Sequence, residues 1–127
     1  MKTKAVRLYG KNDLRLEEFE LPPIKDDEIL ARIVSDSICM SSYKAAIQGP
    51  DHKRVPKDID KNPIIIGHEF CGEIIEVGKK WQHKFKPGNK FSIQPALNLE
   101  SNPYAAPGYT FHYIGGAATY IIIPNEV

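Results

Sequence analysis

The sequence has no apolar run long enough to cross a lipid bilayer. Its longest apolar stretches, at residues 63–66 and 120–123, have the length of β-strands, whereas a membrane helix needs about 20 residues. The chain also has no excess of charge, because 17 Lys and Arg face 16 Asp and Glu. Composition therefore gives no electrostatic reason to expect nucleic acid or a membrane as a partner. The first residues lack the apolar core of a secretory signal, and we expect a cytoplasmic protein.

Cysteine is scarce as well, since only Cys39 and Cys71 are present. One disulfide could join them, but in a reducing compartment each thiol needs its own explanation. We interpret Cys71 as a core-packing residue. A Gly-x-Gly-x-x-Gly turn after a strand is also missing, as is any alternation of strands with helices. We therefore expect no dinucleotide-binding crevice in these 127 residues.

Ten prolines and nine glycines divide the chain into short segments, and most of these have strand patterns. The one predicted helix covers Ser41–Gln48, where serine can cap the start and Gly49-Pro50 ends it. Residues 50–63 are polar and charged, so we expect an exposed loop with a solvated His52. Residues 96–112 predict a second long loop. The predicted strands indicate a single mainly β domain, a barrel or a sandwich, and they cover residues 5–9, 14–19, 28–34, 70–77, 90–94 and 118–123.

The sequence Gly67-His68-Glu69 places an imidazole beside a carboxylate, directly after a strand-like Ile64–Ile66. Both groups bind zinc when deprotonated. Adjacent residues on a strand point to opposite faces, so a shared metal requires a turn, and Gly67 would permit one. Alone, such a pair is more often solvated or hydrogen-bonded in the core.

Cys39 follows one predicted strand and precedes the predicted helix. A thiolate there could be stabilised by the helix N-terminus and by a metal, although an isolated cysteine is more often a small buried hydrophobe. Together with His68 and Glu69 it makes a plausible three-ligand set. Three protein ligands are typical of a catalytic zinc, which keeps one position for water or substrate.

Three longer motifs extend this pattern along the chain. They are PIIIGHEFCGEIIEVG at 63–78, FKPGNKF at 85–91, and GGAATY at 115–120 followed by Pro124. With Cys39 in its place before the helix, the chain resembles the zinc-dependent medium-chain alcohol and polyol dehydrogenases. The opening TKAVRLYGKNDLRLEEFELP, together with VPKD and GKKWQHK, is most similar to the sugar-phosphate reductases related to sorbitol dehydrogenase.

The resemblance implies a mainly β fold over residues 1–127, a chaperonin-10 (GroES)-like, partly open β-barrel with one or two short helices. It implies that Cys39, His68 and Glu69 bind one catalytic Zn²⁺ and that Ser41 supplies the proton-relay hydroxyl. NAD(P) would bind in a following Rossmann domain that these residues do not include, so the chain alone should be inactive. The full-length enzyme would interconvert a sugar or sugar-phosphate ketone and its polyol, as a homo-oligomer.

The chain departs from this family at several positions. Ser42 stands where the family often has an aspartate that orients the ligand histidine, so the groups around His68 must differ. Lys44 occupies the position of the relay histidine and could bind a substrate phosphate or simply be solvated. His112, in the second loop, could touch the substrate or pack within the loop. The four cysteines of the family's second zinc site are missing.

Three other interpretations stay open on the sequence. The domain could belong to a polyol or alcohol dehydrogenase with a different substrate. Zinc-free quinone reductases share the barrel but generally lack the ligand cysteine and histidine. A non-catalytic GroES-like module has no need for Cys39, His68 and Glu69 in this order.

Overall fold

The computed structural model describes residues 1–94 and 97–127, and these form mainly short antiparallel strands. The single α-helix, α1 (Met40–Gln48), has nine residues, and nowhere in the described chain does a helix have the length and apolar character to span a membrane. Single turns of 3-10 helix cover Gly49–Asp51 and Lys79–Trp81. The strands are β1 (Lys2–Gly10), β2 (Asp13–Glu20), β3 (Ile29–Asp36), β4 (Ile64–Ile65), β5 (Phe70–Val77), β6 (Lys90–Ser92) and β7 (Tyr120–Ile123).

The strands form two sheets, with the orders β2-β1-β4 and β6-β5-β3-β7. Neither sheet closes on itself within the described residues, so the architecture is the partly open one that was predicted. The sheets are joined where β1 runs beside residues 117–119. There the Val6 amide donates to the Ala117 carbonyl at 2.9 Å, and the Thr119 amide donates to the Lys4 carbonyl at 3.0 Å.

Strand β2 forms one edge of the three-stranded sheet. Two of its apolar side chains, Leu14 and Leu16, are 43% and 65% exposed. The same strand carries four carboxylates and one guanidinium, those of Asp13, Glu17, Glu18, Glu20 and Arg15. Charged side chains on an edge strand oppose pairing with another chain.

The segment 50–63 is less exposed than its composition predicts. It has no strand, in keeping with the predicted loop, but Val55 and Ile59 are 4% and 0% exposed. They pack in one cluster with Leu8, Ile64 and Tyr109. The prediction of an exposed loop is therefore wrong at these two positions, because apolar side chains in a charged segment still gain free energy by leaving water. Of the second predicted loop, residues 97–112 contain neither helix nor strand, and residue 96 lies outside the described residues.

The pairing of β3 with β5 sets up the functional region. The strands are antiparallel, and Asp36 at the end of β3 lies opposite Phe70 at the start of β5. The Ser37 amide continues the pairing by donating to the Glu69 carbonyl at 2.8 Å. The residues that follow β3 therefore lie beside those that precede β5, although they are about 30 positions apart in sequence.

Candidate metal centre

The structure brings together the three side chains that the sequence predicted as metal ligands. One donor atom each from Cys39, His68 and Glu69 lies within 4.8 Å of the other two. Two of these atoms, His68 Nε2 and Glu69 Oε1, are 3.4 Å apart. His68 and Cys39 are half-buried, whereas the side chain of Glu69 is 47% exposed. The cluster is therefore open to solvent on the side of the carboxylate.

A turn at Gly67 lets two adjacent residues face one point. Gly67 has a φ of +96°, in the left-handed region that favours glycine. A β-carbon there would lie 2.9 Å from the Asp36 carboxylate and 3.0 Å from the Gly116 and Ala117 amide nitrogens. The turn is thus enclosed on three sides, and a residue with a side chain at this position would displace it.

Cys39 occupies the N-cap position of α1. Its backbone is extended, with φ −125° and ψ 141°, and its carbonyl accepts a hydrogen bond from the Ser42 amide at 3.0 Å. The helix N-terminus therefore fixes the backbone that carries the thiol. Ser41, in the first turn of α1, is half-buried, and its hydroxyl lies close to the phenol of Tyr109.

Tyr109 is the site residue that the sequence did not predict. Its hydroxyl lies 3.2 Å from His68 Nδ1, and the two rings are 5.3 Å apart at 34°. The residue is only 5% exposed. Burial raises the pKa of Tyr109, and the nearby Ser41 hydroxyl acts in the opposite direction. The phenol therefore keeps its proton at neutral pH and stays a hydrogen-bonding partner within the site.

His52 also belongs to this group of rings. It stacks on Tyr109 with 5.4 Å between ring centroids and 13° between planes. Its Nδ1 accepts a hydrogen bond from the Arg54 amide at 3.1 Å. The prediction of a solvated His52 is wrong, because the tyrosine ring covers it and leaves it half-buried.

Two further groups border the cluster. The Asp36 carboxylate packs against Gly67 and Gly116. Burial raises the pKa of Asp36, and the neighbouring His68 acts in the opposite direction.

Cys71 is only half-buried and lines an open cleft of about 400 Å³ with Ser37, His68 and Glu69 among others. Its interpretation as a core residue is therefore wrong, since its side chain borders this cleft.

Within residues 1–94 and 97–127, neither predicted substrate residue forms a hydrogen bond or an ion pair with the three donors. Lys44 is exposed on α1. His112 places Nδ1 3.2 Å from the Pro63 carbonyl and packs against the ring of Tyr113. These contacts are with neighbouring protein groups, and contact of His112 with the substrate stays a prediction.

The donor set fits zinc. Zinc binds thiolate sulfur, imidazole nitrogen and carboxylate oxygen at about 2.0–2.3 Å, so donors around one tetrahedral ion lie about 3.3–3.7 Å apart. The His68–Glu69 pair is already at 3.4 Å, and the set as a whole is within 4.8 Å. Small side-chain rotations would complete a three-ligand site with one position open.

Fold and site together define a domain of the alcohol dehydrogenase type. Residues 25–127 match the model of the alcohol dehydrogenase GroES-like domain, and the chain belongs to this family. The match confirms both the family resemblance and the GroES-like fold predicted from the sequence.

The chain is also similar to two particular enzymes that act, by their names, on phosphorylated sugars or polyols. The chain is 64% identical over 125 residues to L-sorbose 1-phosphate reductase of Klebsiella pneumoniae, a match that covers 98% of this chain and 30% of that protein. It is also 48% identical to mannitol-1-phosphate 5-dehydrogenase of Aliivibrio fischeri. That match covers 97% of this chain and 29% of that protein. The chain thus spans about 30% of the length of these relatives.

A solved structure of another protein has the same fold. The crystal structure of 2R,3R-butanediol dehydrogenase from Bacillus subtilis matches with a TM-score of 0.74 and 26% identity. The match covers 98% of this chain and 39% of that one. Within the described residues, the two open sheets and α1 therefore have the arrangement found in that dehydrogenase.

Proposed function

We propose that the chain is the zinc-binding catalytic domain of an NAD(P)-dependent dehydrogenase that interconverts a sugar-phosphate ketone and its polyol phosphate. The observation that carries the proposal is the convergence of Cys39, His68 and Glu69 within 4.8 Å. It occurs in a chain of the alcohol dehydrogenase GroES-like family. A non-catalytic module of this fold would not need three donors to converge in a solvent-accessible turn.

Each residue of the site has a separate role in this proposal. Cys39, His68 and Glu69 hold one Zn²⁺, which when bound supplies Lewis acidity toward the substrate oxygen. Ser41 transfers a proton between that oxygen and solvent, and its hydroxyl has the phenol of Tyr109 beside it. The described side chains therefore bind the metal and move the proton.

Hydride transfer requires a bound nicotinamide cofactor, and we place its binding site outside residues 1–127. We propose that residues 1–127 are followed in the full-length enzyme by a Rossmann domain that binds NAD(P). The chain alone is then inactive, because the hydride partner has no binding site in it. The full-length enzyme would be a cytoplasmic homo-oligomer, as expected from the family resemblance.

The substrate we propose is L-sorbose 1-phosphate, reduced to glucitol 6-phosphate. Support comes from two relatives, because one is named for a sugar phosphate, L-sorbose 1-phosphate, and the other for a polyol phosphate, mannitol 1-phosphate. In this chain Lys44, exposed on α1, offers an ammonium group for the phosphate. Another polyol or alcohol as substrate is the alternative.

The zinc site is tested by elemental analysis of the untagged chain beside Cys39→Ala and His68→Ala. We expect about one zinc per chain, lost in both variants. Cys71→Ala and His112→Ala are matched controls, since they remove the same residue types outside the donor set, and they should keep the metal. A folded full-length protein without zinc would contradict the proposal.

The substrate is tested on the full-length protein with NADH and NADPH. We expect faster turnover of L-sorbose 1-phosphate than of unphosphorylated L-sorbose. Equal turnover of the two, or activity only on a simple alcohol, would favour the alternative substrate class.

A further inference from the structure

We infer that Tyr109 is a positioning residue for the metal ligand His68, holding its ring so that Nε2 faces the metal. The inference rests on the proposed zinc site. Its geometric basis is the 3.2 Å contact between the Tyr109 hydroxyl and His68 Nδ1. The other ring nitrogen, Nε2, lies 3.4 Å from Glu69 Oε1 and therefore faces the donor cluster.

A metal bound at Nε2 requires the form of the neutral imidazole that carries its proton on Nδ1, and the Tyr109 hydroxyl can accept a hydrogen bond from that nitrogen. Only one of the two ring nitrogens carries a proton in that form. With Nδ1–H donating to the Tyr109 oxygen, the lone pair lies on Nε2, where a metal can take it. Ligating histidines commonly have such a partner, which fixes both the tautomer and the ring orientation.

Ser42 does not serve this purpose. In the described part of the chain its side chain makes no hydrogen bond to His68. Instead, the phenol of Tyr109 lies at Nδ1 of His68, although Tyr109 comes 41 positions after His68 in the sequence. A neutral partner leaves the ligand set with one negative charge fewer nearby than a carboxylate partner would.

The surroundings of Tyr109 hold it in this position. The next residue, Thr110, donates its hydroxyl proton to the Arg54 carbonyl at 2.9 Å and accepts from the Ala106 amide at 3.1 Å. These two bonds tie the turn that carries Tyr109 to the segment 50–63. His52 stacks on the tyrosine ring and limits its rotation.

Tyr109 also connects the ligand histidine to the proposed proton relay. Its hydroxyl lies 3.2 Å from His68 Nδ1 and also beside the hydroxyl of Ser41. One buried phenol is thus next to both groups. A purely structural tyrosine would need neither contact, since its ring already packs with Val55, Ile59 and Ile64.

The test compares Tyr109→Phe with wild type in zinc affinity, measured by competition with a chromophoric chelator. Phenylalanine keeps the ring and removes the hydroxyl. We expect zinc affinity to fall roughly 10–100-fold, as is usual when a partner of a ligand histidine is lost. Tyr104→Phe is the matched control, because this tyrosine lies in the same loop with its side chain exposed, and we expect no change.

A second readout uses the zinc-loaded protein, in which Nε2 is taken by the metal and Nδ1 carries the proton. Nitrogen-15 NMR should show a His68 Nδ1 proton that exchanges slowly with water in wild type, and faster in Tyr109→Phe, which removes its acceptor. Equal exchange of this proton in the two proteins would overturn the inference. So would unchanged zinc affinity in Tyr109→Phe while wild type binds zinc. If wild type itself binds no zinc, the proposed function fails together with the inference.

Discussion

Gly108 lies against the backbone of Gly67, the residue just before the ligand histidine. A β-carbon on Gly108 would be 2.6 Å from the Gly67 carbonyl carbon and 3.1 Å from the His68 amide nitrogen. Gly108 also has a φ of +84°, which disfavours other residues. The loop of residues 97–112 therefore contacts the turn at Gly67 and His68 through backbone atoms. This close approach places the next residue, Tyr109, beside His68.

Replacing Gly108 by alanine should destabilise the fold by about 2–4 kcal/mol, the sum of backbone strain and a steric clash. Because the clash falls on the His68 turn, zinc affinity should fall as well. Denaturant unfolding and chelator competition measure the two effects.

Gly88→Ala is the control for this prediction. Gly88 also has a positive φ, +93°, but a β-carbon there would meet nothing within 4 Å. Gly88→Ala should lower the free energy of unfolding only by the backbone strain, about 1–3 kcal/mol, and leave zinc binding unchanged. Equal losses in both variants would mean that the close approach to Gly67 is not significant.

Removing zinc should lower the stability of the folded chain. A ligand that binds only the folded state stabilises it by about 2.7 kcal/mol at a free concentration 100 times Kd. Thermal unfolding with and without a chelator measures the effect, and Cys39→Ala should show none. A chelator effect of the same size in Cys39→Ala would place the metal elsewhere.

Ser41→Ala in the full-length enzyme should reduce kcat by about 100-fold or more, the usual contribution of a proton-transfer group. Zinc content should stay the same, because the serine is not among the donors. Ser42→Ala, one residue later in α1, is the matched control and should retain most activity. Similar kcat values for the two variants would remove the relay role from Ser41.

His52 should titrate below its ordinary pKa of 6.5. Burial lowers the pKa of His52, and the positive charges of Arg54 and Lys53 lower it further. NMR titration of the ring protons measures this value. Lys53→Gln should raise it, because this variant removes one of the positive charges.

The same shift has a consequence for stability. Since the unfolded chain binds the His52 proton at higher pH, stability should fall as pH drops below about 6.5. The loss should stop growing once pH is below the pKa of the folded state. His52→Gln should remove this part of the pH dependence, and an unchanged profile would show that His52 does not cause it.

Local patterns predicted the strands well and the surroundings of the site poorly. The strand Phe70–Val77 was predicted with the bounds that the structure shows, because β-branched residues and Gly78 mark it in the sequence. Residue types and positions made Cys39 and the His68-Glu69 pair a plausible ligand set, and the resemblance to the zinc-dependent dehydrogenases implied that they bind the metal. Tyr109 was not predicted, since its contact with His68 depends on tertiary packing across 41 residues. The replacement at Ser42 indicated only that a different partner was needed.

The charge on β2 bears on how the protein behaves at high concentration. An edge strand with exposed leucines is a ready surface for lateral growth of a sheet from one molecule to the next. Four carboxylates on that strand mean that two copies approaching edge to edge bring like charges together. The repulsion guards the molecule against fibril-like association, and it weakens as salt shortens its range.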